Sequence, residues 1–136
     1  MSKYNADKCN CDGYHFDSHI EMKYYEHLKD IKAKELIMNF ELQPRFTLQG
    51  KFTKDGKNYR MIEYVADFII YHIDGTEEVI DVKGFAVETA KIKKKLFNYK
   101  YQNMKLTWIC RYGGKWVDYD ENIKARAKRK KAKNDK

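Results

Sequence analysis

Four side chains in this 136-residue chain have the types and spacing that hydrolytic chemistry needs: Glu21, Asp67, Asp81 and Lys83. Asp67 interrupts the apolar run Tyr64-Val65-Ala66-Asp67-Phe68-Ile69-Ile70, where a charge is costly unless it binds a cation or pairs. Asp81 and Lys83 flank Val82 in Val79-Ile80-Asp81-Val82-Lys83-Gly84, and the two-residue period of a strand puts both side chains on one face. Converging carboxylates hold a hard cation such as Mg²⁺ or Mn²⁺ together with waters, and such a cation activates a water and steadies the charge that develops on a phosphodiester. Lys83 beside them could orient the attacking water or stabilise that charge, or could simply pair with Asp67 or Asp81.

The hairpin between the two apolar runs decides whether Asp67 joins them. A two-residue Asp74-Gly75 turn would pair Ile73 with Thr76 and put Asp67 on the wrong face. A three-residue loop, Ile73-Asp74-Gly75 with Gly75 left-handed, pairs His72 with Thr76 and sets Asp67 opposite Asp81. We expect the second loop. Two carboxylates so close repel unless a cation lies between them. Glu21 would add a third acid from a helix, although Ser18-x-x-Glu21 also reads as a capping box, and taken alone the pattern favours the cap.

The elements that carry these residues follow from periodicity. Residues 1–15 read as a polar lead-in with a turn at Asp12-Gly13. Ile20, Tyr24, Leu28 and Ile31 then lay one apolar stripe along a helix starting at Asp17 or Ser18. Extended chain follows from Phe40 to Leu48, with Pro44 marking an edge or bulge, and a turn at Asp55-Gly56. Glu63 to Tyr71 and Thr76 to Val82 are the central strands. Glu88 to Tyr101 is a basic amphipathic helix that we expect to turn Ile92, Leu96 and Tyr99 inward. Lys105 to Arg111 and Lys115 to Val117 are strands on either side of Gly113-Gly114. Residues 16–119 thus form one domain, and 120–136 a basic tail, expected to be a frayed helix or disordered.

The formal net charge is +8. Residues 122–136 hold eight Lys or Arg against one Asp, and residues 89–117 hold eight Lys or Arg with no Asp or Glu. Both regions suit a polyanion, and nucleic acid is the natural one. Lys91, Lys93, Lys94, Lys95 and Lys100 on the helix, with Lys128, Arg129, Lys130 and Lys131 in the tail, are the candidate phosphate contacts. Three cysteines without an apolar leader argue for a reducing compartment, and no apolar run is long enough to span a membrane. Cys9, Cys11, His15 and His19 are spaced too tightly for an ordinary zinc site.

The order of a helix Glu, a strand Asp, Asp-x-Lys on the next strand and a basic helix resembles the PD-(D/E)XK nuclease core. Lys3-Tyr4-Asn5-Ala6, Asp12-Gly13-x-x-Phe16-Asp17-Ser18-x-x-Glu21, Leu42-Gln43-Pro44-Arg45-Phe46, Tyr64-Val65-Ala66-Asp67-Phe68 and Asp81-Val82-Lys83-Gly84 are similar to a phage-borne family of such nucleases catalogued as a domain of unknown function. In layout that family is similar to phage-type endonuclease I Holliday-junction resolvases. The resemblance implies an α/β restriction-endonuclease-like fold, a mixed and mainly antiparallel sheet flanked by helices. It further implies Glu21, Asp67 and Asp81 as metal-binding acids, the Val82 carbonyl as a further ligand, and Lys83 as the catalytic lysine. The third acid is Asp81 where many relatives carry Glu, so its reach is shorter. The expectation is a Mg²⁺- or Mn²⁺-dependent DNA endonuclease acting on branched DNA as a homodimer, in the cytoplasm of a bacterial host if phage-encoded. A nicking or degradative nuclease without junction preference is the alternative, and a non-catalytic DNA-binding protein on the same fold is the alternative of another class.

Overall fold

The computed structural model describes residues 9–134, so the Lys3-Tyr4-Asn5-Ala6 motif lies outside the described residues. Within the expected polar lead-in the chain already forms a hairpin, β1 (Cys9–Cys11) and β2 (Tyr14–Phe16), paired antiparallel with Cys11 opposite Tyr14. Asp12 and Gly13 take φ values of 52° and 83°, the left-handed pair that suits a two-residue hairpin. The Asp12 carboxylate accepts from the Tyr25 hydroxyl at 2.9 Å and also from Lys29 Nζ, which ties the hairpin to the following helix.

That helix, α1 (His19–Ala33), begins on Ser18, whose hydroxyl accepts from the Glu21 amide at 3.3 Å. Tyr24 and Leu28 of the expected stripe are buried, and Ile20 and Ile31 pack at its margins. After β3 (Asn39–Leu42), Gln43 adopts φ 52° and the chain bends at Pro44 into β4 (Arg45–Gln49). The bend takes β4 out of the main sheet, to pair with β7 (Ile62–Val65). Between these two strands stands a hairpin of β5 (Phe52–Lys54) and β6 (Lys57–Tyr59), every residue of which is exposed.

The central hairpin, β8 (Phe68–Tyr71) and β9 (Glu77–Val82), leads through α2 (Glu88–Lys100) to β10 (Lys105–Tyr112) and β11 (Lys115–Asp118). The five-stranded sheet runs in the order β11-β10-β9-β8-β3. Among the described residues only β9 and β10 pair in parallel within it, which is what a helical crossover permits. One face carries α1 over Phe68, Ile70, Ile80 and Val82. The opposite face packs Ile69 and Val79 against Tyr64, Ala66 and Phe97 from β7, the following bend and α2. The architecture is a mixed α/β fold with mainly antiparallel sheets and, among the described residues, three helices.

One expectation needs correction. Ile92, Leu96 and Tyr99 of α2 point outward, at 58%, 42% and 78% exposure. The inward face is instead Ala90, Lys94, Phe97 and Tyr101. Phe97 decides the rotation, because its ring fills the gap between Phe46 and Tyr64, with centroids 5.0 and 5.4 Å away. Of the two forms expected for the tail, the structure has the helix, α3 (Tyr119–Asn134). Asp118 starts this helix by accepting from the Glu121 amide at 3.0 Å. Tyr119 is buried against Trp108 and Ala86, and its hydroxyl accepts from the Ala86 amide at 3.2 Å. Tyr119 closes the expected domain, and beyond it Asn122 donates to Cys110 Sγ at 3.7 Å, while positions 128–134 of the helix are exposed. Among the described residues no helix is long and apolar enough to cross a membrane.

Candidate active site

The loop between β8 and β9 sets the site. The His72 amide donates to the Thr76 carbonyl at 2.9 Å, and Gly75 takes φ 90°. Asp74 closes the turn from within, its carboxylate accepting from the Thr76 amide and hydroxyl at 2.9 and 2.6 Å. This is the three-residue loop expected from the sequence, and it pairs Phe68 with Ile80. One step further, Asp67 and Asp81 meet. The Asp67 amide donates to Asp81 Oδ1 at 2.9 Å, and Asp67 Oδ2 accepts from the Val82 amide at 2.8 Å.

Asp81 is 3% exposed and is held by groups that no sequence motif singles out. Its Oδ2 accepts from the Tyr64 hydroxyl, which in turn accepts from Trp108 Nε1 at 2.9 Å. Trp108 stands opposite Asp81 in the parallel pair. Lys83 Nζ lies 3.5 Å from Asp81 Oδ2 and 5.1 Å from the centre of the Trp108 ring. Tyr64 stands three residues before Asp67, out of step with its strand period, and the strand that Trp108 pairs with is not written in the local sequence, so neither residue carries a sequence signal.

The charges interact as a group. Burial pushes the Asp67 carboxyl well above the usual range, and the negative charges of Asp81 and Glu21 push it further, against the pull of the Val82 amide and Lys83. Glu21 is raised as well, first by burial, then by Asp17 and Asp81, while a hydrogen bond with the Ser18 hydroxyl and the charge of Lys83 oppose the rise. Glu21 thus serves the cap and also stands within electrostatic reach of the two strand acids. Among the described residues no three Asp, Glu, His or Cys side chains form a ready-made metal cage. A Mg²⁺ site does not need one, because this ion keeps several waters and is held by one or two carboxylates plus substrate phosphates. The opposed Asp67 and Asp81 fit that kind of site, their repulsion being what a divalent cation relieves. For Val82, the group turned to Asp67 is the amide.

The candidate phosphate contacts divide. Lys94 is turned inward, 4.3 Å from the centre of the Trp108 ring, and pairs with Asp120 of α3. Acids therefore do balance α2 lysines: Lys94 takes one from a segment distant in sequence, and Lys91 one from the first turn of the helix itself. Lys91 reaches Glu88 at 3.3 Å, and Lys100 donates to the Thr47 carbonyl at 2.8 Å, away from the acids. Lys93 is half-buried and Lys95 exposed. Arg129 and Lys130 line an open cleft of about 810 Å³ that has Lys83 at its other end, whereas Lys128 and Lys131 are exposed outside it.

A family model described as protein of unknown function (DUF1064) matches residues 1–117. The chain belongs to this family. In this DUF1064 chain the matched stretch contains all three acids and Lys83, and α3 lies beyond it. No curated protein matches the chain. Among solved structures, the one described as "Crystal structure of SSO0001" is similar at 19% identity with a TM-score of 0.41, over 72% of this chain and 49% of that one. The DUF1064 chain thus spans about half the length of that protein.

Proposed function

We propose that this protein is a Mg²⁺- or Mn²⁺-dependent DNA endonuclease with a PD-(D/E)XK-type core, acting on branched DNA in the manner of a Holliday-junction resolvase. The observation that carries the reading is the register that sets Asp67 against Asp81, with Lys83 two residues further on. Asp67 and Asp81 would hold the cation, Glu21 adds negative charge from α1, and the Val82 carbonyl is a further ligand by resemblance. When bound, the ion supplies Lewis acidity and an activated water. Lys83 presents its ammonium beside Asp81, where it can donate to a phosphoryl oxygen as charge grows there. Tyr64 and Trp108 fix the Asp81 carboxylate, so its orientation does not have to be found during the reaction.

Phosphate contacts that place DNA without reading its sequence come from the exposed cations of α2 and α3. Symmetric cutting of two strands calls for two copies of the chain, so the reading includes a homodimer. It also includes a phage origin and the cytoplasm of a bacterial host.

The test is cleavage of a labelled four-way junction and of a linear duplex of equal length, in Mg²⁺, Mn²⁺ or EDTA, by the protein and by Asp67→Asn and Lys83→Ala. Metal-dependent cutting of the junction in preference to the duplex, lost in both variants, is the expected result. Equal cutting of both DNAs would leave a nuclease without junction preference. No cutting in any metal, with DNA still bound, would leave a binding protein.

A further inference from the structure

Two residues beyond Lys83 the chain carries Phe85 at 82% exposure. Most folds cover a ring of that size, since burying it is worth about 1.5–3 kcal/mol. Phe85 is not at a frayed end. Its neighbour Ala86 is buried and donates to the Tyr119 hydroxyl at 3.2 Å, so the backbone is fixed while the ring stands in solvent. Two open clefts meet at this ring. The smaller, about 610 Å³, contains Lys91, Lys94 and Trp108.

The larger, about 810 Å³, runs from Lys83 to α3. Its cations are Lys83 and Arg111 on the sheet side and Arg126, Arg129 and Lys130 on the helix side, and among the described residues no Asp or Glu lines it. Arg111 lies against Trp116 at 4.6 Å and Arg129 against Tyr112 at 5.5 Å, so both guanidinium groups are held by rings. Cations spaced along a cleft with no carboxylate among them match an anion whose charges are also spaced, and a nucleic-acid backbone is such an anion. The cleft has the size of a pocket that encloses a small ligand. A cleft of that size suits a single strand better than a duplex, whose major groove alone is about 12 Å wide. One strand can enter, and a fixed, exposed ring at the end nearest the acids offers its bases a stacking surface.

We propose that the cleft between the Lys83–Phe85 segment and α3 takes one unpaired DNA strand, with Phe85 stacking on a base and the α3 arginines holding the phosphates. The inference rests on the DNA reading above and narrows it to DNA with unpaired nucleotides next to the cut, such as a flap or an open branch point.

The test measures binding in EDTA, where cleavage plays no part, using the full chain and fluorescein-labelled dT oligonucleotides, a blunt duplex, and dT strands carrying one abasic site at each position in turn. Phe85→Ala is expected to weaken single-strand binding about tenfold or more, with Phe85→Trp retaining it and duplex affinity unchanged within about twofold. One abasic position should cost the wild type a similar factor and cost Phe85→Ala little more, because both remove the same stack. Arg126→Ala with Arg129→Ala should lower the salt slope of single-strand binding by about 1.4, at about 0.7 for each phosphate neutralised. Single-strand binding by Phe85→Ala equal to wild type, or equal losses for strand and duplex, overturns the proposal even if the protein cuts DNA. Stacking as described with no cutting in any metal overturns the nuclease reading alone.

Discussion

Replacing Asp67 with Asn should stabilise the metal-free protein, the reverse of what changing a half-buried polar residue ordinarily does. Asn keeps both hydrogen bonds seen at this position, since its side-chain oxygen can accept from the Val82 amide and the backbone N–H of residue 67 still donates to Asp81. What it removes is a charge facing Asp81. Residues directly opposite on paired strands have Cβ atoms about 5 Å apart, and two like charges at about that distance repel by roughly 3 kcal/mol at an effective dielectric constant of about 20. Lys83, 3.5 Å from Asp81, cancels part of this. We predict a gain of about 1–2 kcal/mol, or about 3–8 °C in Tm for a chain of this length.

The pH dependence gives the sign a second check. Because the Asp67 carboxyl is raised in the folded state, the folded protein holds a proton there that the unfolded chain has released. Wild-type stability is therefore complete below the ordinary carboxylate range and falls as pH rises toward the raised value, at up to about 1.4 kcal/mol per pH unit. Glu21, also raised, acts in the same direction. The gain from Asp67→Asn should thus be small near about pH 5 and grow toward about pH 8. Urea denaturation followed by circular dichroism in EDTA at the two pH values measures it. Adding Mn²⁺ should reverse the order, since a ligand at a hundred times its Kd stabilises the wild type by about 2.7 kcal/mol and the variant by little. A variant less stable than wild type in EDTA at the higher pH would refute the reasoning.

Three further outcomes follow from the same geometry. Tyr64→Phe removes a donor to buried Asp81 and the acceptor of Trp108 Nε1, and should cost about 1–3 kcal/mol in denaturant titration; an unchanged midpoint would show that the chain of hydrogen bonds carries no stability. Gly75→Val forces a branched side chain to φ 90°, costing about 1–3 kcal/mol and speeding hydrogen exchange at the Val82 amide relative to amides of α1. Lys128→Gln with Lys131→Gln, both exposed outside the cleft, should reduce the salt slope of duplex binding by up to about 0.9 for each phosphate no longer neutralised without abolishing cleavage; an end to cutting would place these lysines in the site itself.

Much of the site was legible because it depends on local rules. The Asp74-Gly75 turn and the strand period fix which side chains meet across β8 and β9, and Ser18 marks the start of α1. The side of α2 that faces inward was not legible. Ile92, Leu96 and Tyr99 form as good a stripe as Ala90, Phe97 and Tyr101, and the choice was made by Phe46 and Tyr64, which come from other parts of the chain. For the tail, the choice between helix and disorder was not legible for a similar reason. Its apolar content is low, yet Tyr119 meets Ala86 and Trp108, and Asp118 caps its start. The Lys94–Asp120 pair joins residues 26 positions apart, beyond any pattern a local reading could detect.

The short turn at Ile73–Gly75 also bears on the order in which the molecule assembles. Closing a small loop costs the chain little entropy, and hairpins form within about 1–10 μs. Asp67 and Asp81 therefore can be brought together early, while both are still in water, where their repulsion is about a quarter of its value at a dielectric constant of about 20. Trp108 reaches them only after the α2 crossover has laid β10 alongside β9, a non-local pairing that forms more slowly. The cost of placing two like charges side by side thus falls due at the last step of closure, when the rest of the sheet is already in place to bear it.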